Sequence, residues 1–175
     1  MKKEEFIFKE LWTLAWNASV QRAHLYNANS KPSGKRTAEF RKEIISFVTE
    51  QLLPYYQNKK CVEDQHYKNI ATLVEFANQA GCGILGKDGY KYGVAQKFLN
   101  LALKYFWCVG FILEPPHCPV DRIIINKTKH RDKINWTQIL HESKYRDIID
   151  DIKKISQKEK MSPSEWELHK YSVEI

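Results

Sequence analysis

The sequence predicts an all-α fold, a compact helical domain taking in residues 1–175. Two observations predict it: apolar residues recur at spacings of three and four over long segments, and no segment shows the alternation of a half-buried strand. A third is punctuation, because proline, glycine, asparagine and serine gather between the periodic segments rather than inside them. A chain of 175 residues is long enough to bury a proper core and is most simply one domain.

The elements follow in order. Residues 4–27 read as a helix, with Phe6, Leu11, Leu14, Ala15, Ala18 and Leu25 at helical spacings. NANSKPSGKRTAEF reads as a loop, its Lys31, Lys35 and Arg36 forming a mobile basic segment. TAEFRKEIISFVTEQLLPYY is a second helix, with Thr37 as N-cap and Pro54 limiting its end. DQHYKNIATLVEFANQAG is a third, stopped by Gly81 and Gly83. The turn GCGILGKDGYKYG then carries five of the seven glycines, at 81, 83, 86, 89 and 93, interleaved with Lys87 and Lys91. It feeds AQKFLNLALKYFWCVG, a helix apolar on most of its circumference. The exceptions Lys97, Asn100 and Lys104 are three and four apart, so they form one polar stripe. EPPHCPVDRIIINK is held extended by its prolines until Asp121, an N-cap for a helix beginning at Arg122. WTQILHESKYRDIIDDIKKI and SPSEWELHKYSVEI supply two more helices, the second opened by a Ser162 and Glu165 capping box.

Charge and composition narrow the function classes. Lysine and arginine exceed aspartate and glutamate by 28 to 21, a net charge of +7 that favours polyanionic partners without naming one. The start MKKEEFIFKELWTLAW has acidic residues where a signal peptide is basic and no uninterrupted apolar run after them. The apolar stretch around 98–113 is broken by Asn100 and Lys104 and is too short to span a bilayer. The expectation is a soluble protein of the cytoplasm or nucleoid with no membrane partner. Cys61, Cys82, Cys108 and Cys118 are far apart with no CxxC pair, which points to reduced thiols rather than a zinc or iron-sulfur site.

Three features converge on chemistry: the glycine-rich turn at a helix start, Lys97 one turn inside that helix, and Asp121 capping the next. Backbone amides at such a turn can hold a phosphate, with Lys87 or Lys91 assisting. An amine kept from water loses proton affinity, and the neutral amine is a nucleophile. A nearby carboxylate can orient it or stabilise a cation developing on a sugar ring. The plain readings stand beside these: a lysine near a helix start is commonly solvated, and an aspartate after Pro-Val commonly only caps. His117 and Cys118 are adjacent and cannot complete a tetrahedral site, so no metal is expected, and they are candidates with Tyr92 for lining a pocket. Tyr90, Tyr105 and Trp107 could stack on a base, Phe106 belongs to the core, and Trp12, Trp16, Trp136 and Trp166 are expected to pack on helices. KTKHRDK, residues 127–133, reads equally as a phosphate-holding stretch or a solvated loop.

GVAQKFLNLALKYFWC followed by HCPVD resembles the signature of the helix-hairpin-helix DNA glycosylase superfamily, in which a Gly-Val-Gly-x-Lys turn opens a buried helix and a Pro-Val-Asp turn follows it. It is most similar to the archaeal type of 8-oxoguanine DNA glycosylase, over about residues 81–127, roughly a quarter of the chain. The resemblance implies that Lys97 attacks C1′ of a flipped-out nucleotide and forms a Schiff base, with Asp121 as the catalytic carboxylate. It implies that Gly93, Gln96 and Arg122, with Lys87 and Lys91, contact DNA, that the partner is duplex DNA, and that no cofactor is needed. Ala95 stands where the commoner hairpin has its second glycine, and the 24 residues from Lys97 to Asp121 exceed the spacing of the most familiar members. Two readings follow from different classes: a glycosylase with AP-lyase activity on a damaged purine, or a non-catalytic nucleic-acid-binding module on the same fold.

Overall fold

A computed structural model describes residues 2–29 and 32–171. Lys31 of the expected basic loop and residues 172–175 of the expected last helix lie outside the described residues. The fold is all-α: α1 (Lys3–Val20), α2 (Gly34–Phe47), α3 (Pro54–Gln57), α4 (Glu63–Ala80), α5 (Tyr92–Cys108), α6 (Arg122–Ile125), α7 (Glu142–Lys158) and α8 (Pro163–Lys170). Among the described residues no helix is long and apolar enough to cross a membrane.

The architecture is a central helix with the others laid around it. From Tyr92 to Lys104 every residue of α5 is buried. Helix α1 runs along one side through an aromatic seam in which Trp12 and Trp16 meet Phe98 at 5.6 and 5.5 Å between ring centroids, and Phe8 stacks on Phe106 at 4.7 Å. Helix α4 packs on another side, and α7 with the turn before it closes a third. Helix α7 presents Tyr145, Ile148, Ile149 and Ile152 inward at spacings of three and four, the stripe an amphipathic helix needs to bury one face.

Several boundaries differ from the expectations above. Helix α1 stops at Val20 rather than near residue 27, because His24 takes a left-handed conformation, φ 47°, and turns the chain back. The next residues are then bonded across to the glycine-rich turn, Asn27 N–H to Ile84 at 2.9 Å and Gly86 N–H to Leu25 at 2.9 Å. The N-cap of α2 is Ser33, whose hydroxyl accepts from the Arg36 amide, so Thr37 lies inside the helix. Arg36 is anchored, pairing with Glu43 at 3.1 Å and donating to the Ala80 carbonyl. Before Pro54 the helix widens by one residue per turn over Val48–Leu52, with Leu53 N–H reaching back to Val48. The proline ring displaces the carbonyl four residues earlier and offers no N–H, and a wide turn absorbs both effects. The segment expected as one helix from Trp136 is a single 3₁₀ turn, Trp136–Gln138, separated from α7 by residues 139–141. The Ser162 and Glu165 capping box of α8 forms as expected.

Helix α8 is held to α5 by an ion pair deep in the protein. The Lys104 ammonium lies 2.8 Å from Glu167 and over the Tyr171 ring at 4.3 Å, with 8 % and 2 % of the two paired residues exposed. Burial raises the carboxyl of Glu167 from its ordinary value, and the lysine works against that rise. Truncating one member of such a pair costs about 3–5 kcal/mol, because the other charge stays buried alone, whereas an apolar pair of similar volume is close to neutral. Glu167→Ala should therefore lower the urea unfolding midpoint far more than the double change Lys104→Met with Glu167→Leu, as read by helical circular dichroism.

Candidate functional site

The start of α5 is set by the helix before it. Gly89 takes φ 64° and the Asn78 side chain then grips the next residue from both sides, accepting from Tyr90 N–H at 2.8 Å and donating to its carbonyl at 3.3 Å. Gly93 lies one residue into α5, and a Cβ there would meet the Trp136 carbonyl oxygen at 1.9 Å. Its N–H donates to the Ile139 carbonyl at 2.9 Å. Gly93 is therefore a close-approach residue, but what approaches is the protein's own 136–139 segment. That docking lays the Trp136 ring 4.3 Å from the Lys97 Nζ.

Lys97 and Asp121 are brought together. Asp121 caps α6, its Oδ1 accepting from Ile124 N–H at 3.1 Å, while its Oδ2 lies 3.8 Å from Lys97 Nζ. The distance is an ion pair without a hydrogen bond. Both side chains keep a small opening to solvent, 11 % for Lys97 and 19 % for Asp121. Burial lowers the proton affinity of the Lys97 amine, the Asp121 carboxylate works against that, and the Arg22 charge adds to it. The result is an amine between a carboxylate and an indole face, with a lowered pKa and a route to solvent. Such an amine can act as a nucleophile when neutral.

The other expected site residues lie elsewhere. Gln96 is wholly buried: its Nε2 donates to the Gly93 and Val120 carbonyls at 3.0 and 2.7 Å, and its Oε1 accepts from Val120 N–H at 3.1 Å. It cannot touch a phosphate. The Gly93 amide is spent on Ile139 and does not face an anion either. Lys91 pairs with Asp88 at 3.2 Å, and Lys87 is exposed on the same turn. These two line a cleft of about 240 Å³ with His24, Tyr26 and Ala28. Arg122 is exposed beside Asp121, and Lys127, Lys129, Arg131 and Lys133 are exposed after it, Lys129 close to Asp151. A groove of about 560 Å³ between α1 and α2, floored by Phe8, Trp12 and Ile45, contains none of the expected residues.

His117, Cys118 and Tyr92 do not line a pocket mouth, because all three are interior. The prolines around them lead the chain across α5 and under α7 and α8, where polar groups must find partners inside the protein. His117 bonds Glu63 through Nε2 at 2.7 Å and Tyr145 through Nδ1 at 3.0 Å, and the Tyr145 hydroxyl accepts from Asn100 at 2.9 Å. With the imidazole neutral, this pattern requires the proton on Nε2, donating to Glu63, and the tyrosine donating to Nδ1. The His66 ring lies edge-on to His117 at 4.6 Å. Burial lowers the pKa of both histidines. The Glu63 carboxyl is taken down to about 2, chiefly by its bond to His117 with Lys153 adding to it.

Two participants escaped the sequence reading. Trp136 lies 39 residues beyond Lys97 and was expected on the face of a helix; Arg22 lies in a turn that was expected to be helical. A Trp after a basic loop carries no local signal of its partner, since the contact depends on the glycine at 93. No family model, curated protein or solved structure matches this chain.

Two outcomes test this geometry. Gly93→Ala forces the 136–139 segment off the helix, an overpacking change worth about 1–3 kcal/mol, and should lower the thermal midpoint while leaving helical content in place. The buried histidines make the protein sensitive to acid. With folded pKa values below the unfolded value of about 6.5, their stabilisation is complete above that pH and is lost as pH falls below it, because the unfolded chain binds protons the folded one refuses. Glu63 extends the loss below about pH 4.5, its unfolded range. Urea midpoints should thus fall between about pH 7.5 and about pH 5.5, and His66→Phe should flatten that slope.

Proposed function

We propose that this chain is a DNA glycosylase with AP-lyase activity, removing a damaged or modified purine of the 8-oxoguanine kind through a lysine Schiff base. The observation that carries the reading is the Lys97 amine: desolvated, lowered in proton affinity, 3.8 Å from a capping aspartate and covered by an indole. It adds to the resemblance of GVAQKFLNLALKYFWC and HCPVD to the helix-hairpin-helix glycosylases.

The chemistry follows from the pair. The Lys97 lone pair forms a bond to C1′ as the bond from C1′ to the base nitrogen breaks, and the electron pair leaves with the base, which takes up a proton. Asp121 stabilises the positive charge that builds on the sugar and receives a proton from the secondary ammonium that attack by the neutral amine forms. The nitrogen lone pair then breaks the C1′–O4′ bond, O4′ takes up the proton held by Asp121, and the opened sugar carries the protonated imine between Nζ and C1′. That imine acidifies C2′, and loss of its proton expels the 3′ phosphate, which is the lyase step. The base must leave the duplex for Nζ to reach C1′. Arg22, whose charge acts on Lys97, exposed Arg122 next to Asp121 in the chain, and the exposed cations that follow it in 127–133 would hold the backbone by charge, without reading sequence. This replaces the grip expected of Gly93 and Gln96, with Lys87 the exposed cation of the glycine-rich turn.

A second reading, a nucleic-acid-binding module without chemistry, has one observation in its favour: the ion pair and the indole contact give Lys97 a structural role by themselves. Borohydride separates the two, since it reduces an imine to a permanent bond. On duplexes carrying 8-oxoguanine or an abasic site, the wild type should be trapped as a covalent adduct, Lys97→Ala should give none, and Asp121→Asn should slow trapping by about a hundredfold or more. Salt-sensitive binding with no adduct on either duplex would give the lead to the binding module.

A further inference from the structure

We infer that Gln96 is a positioning residue that fixes Asp121 against Lys97. Its amide uses its whole complement of two donors and two acceptors: to the Gly93 carbonyl at 3.0 Å, to the Val120 carbonyl at 2.7 Å, from Val120 N–H at 3.1 Å, and from Asn100 Nδ2 at 3.3 Å. Two of these bonds clamp one residue, Val120, from both its N–H and its C=O. The bracket is therefore a two-bond ladder between a side chain of α5 and the backbone of the extended segment. The next residue on each side of the clamp is a member of the pair, Lys97 after Gln96 and Asp121 after Val120.

Helix α6 is too short to hold its cap in place, with four residues from Arg122 to Ile125. The segment before it, residues 114–121, has no regular structure until Asp121, so Asp121 would be free to swing without an anchor. Gln96 supplies that anchor from α5, which packs against α1, α4, α7 and the Trp136–Gln138 turn. Being wholly buried, it has no water to take over if the side chain is removed. Tyr145 and His117 brace the far side of the same network through Asn100, with their hydrogen bonds to Asn100 and Glu63 rather than to Val120. Losing them should loosen the network without releasing the clamp.

The inference rests on the reading of Lys97 as the reactive amine only for its catalytic meaning; the coupling itself is measured without DNA. Protein labelled with ¹³C at the lysine ε carbon allows Lys97 to be titrated directly, its resonance assigned from Lys97→Arg. In the wild type, Asp121→Asn should reduce the proton affinity of Lys97 about tenfold, the effect of removing a close carboxylate. In a Gln96→Leu background the same substitution should change it less than about threefold, because the carboxylate has already left. Gln96→Asn, which keeps the amide but is too short to span Gly93 and Val120, should behave the same way and serves if the leucine variant does not fold. Tyr145→Phe should preserve the full tenfold effect. An undiminished Asp121 effect in either Gln96 variant overturns the inference, as does its loss in Tyr145→Phe, which would make the role general to the core. Absence of borohydride trapping in the wild type would sink the glycosylase reading and leave these titrations unaffected.

Discussion

The structure turns on one constraint: helix α5 is buried along most of its length yet carries Gln96, Lys97, Asn100 and Lys104. Each of these draws on protein partners, because an unpaired polar group in such a place costs as much as several good contacts gain, and Asn100 Oδ1 is left without a hydrogen bond. The partners come one from each surrounding element. Val120 answers Gln96, Asp121 and Trp136 answer Lys97, Tyr145 answers Asn100, and Glu167 answers Lys104. The polar stripe is thus what registers the extended segment, the 3₁₀ turn, α7 and α8 on the central helix, while the aromatic seam with α1 supplies most of the apolar burial on the opposite side.

Glycine works in the same scheme by omission. At position 93 the missing side chain lets the Trp136 carbonyl come closer than any Cβ would allow, and the amide it exposes is taken by Ile139. Sequence alone reports that a glycine before a lysine permits close approach; it does not report what approaches. A phosphate and a peptide carbonyl make similar demands on an N–H at a helix start. Here the carbonyl has the amide, and the gain is an indole placed over the lysine.

The all-α class, the order of most helices, the cap at Asp121 and the stripe on α5 were legible, because each is written in residues within a few positions of one another. The pairing of Lys97 with Asp121 was expected from the family resemblance, whereas the residues by themselves gave two separate local signals. What stayed hidden was long in range. Gln96 and His117 look like surface residues in a sequence, and their burial follows from elements that fold over them from far along the chain. The ends of α1 and of the segment at Trp136 were misjudged for a related reason. Residues 24–27 have a helical apolar pattern, yet Leu25 and Asn27 bond to the glycine-rich turn, and a tertiary partner overrides local preference.

The two lysines of α5 provide an internal comparison that bears on chemistry. Both are nine-tenths buried and both face a carboxylate and an aromatic ring. Lys104 is locked, 2.8 Å from a carboxylate whose side chain is 3 % exposed, against 19 % for Asp121. Lys97 is held at 3.8 Å by an aspartate whose other oxygen is committed to a helix cap, so its ammonium has a loose partner and its proton a route outward. A purely structural ion pair gains by closing the gap, since attraction rises as distance falls and a hydrogen bond adds to it. The same helix shows that this chain can build such a pair. That it leaves the other one open, under an indole and beside a carboxylate with a wider opening to solvent, separates a lysine locked into the fold from one whose proton is loosely held.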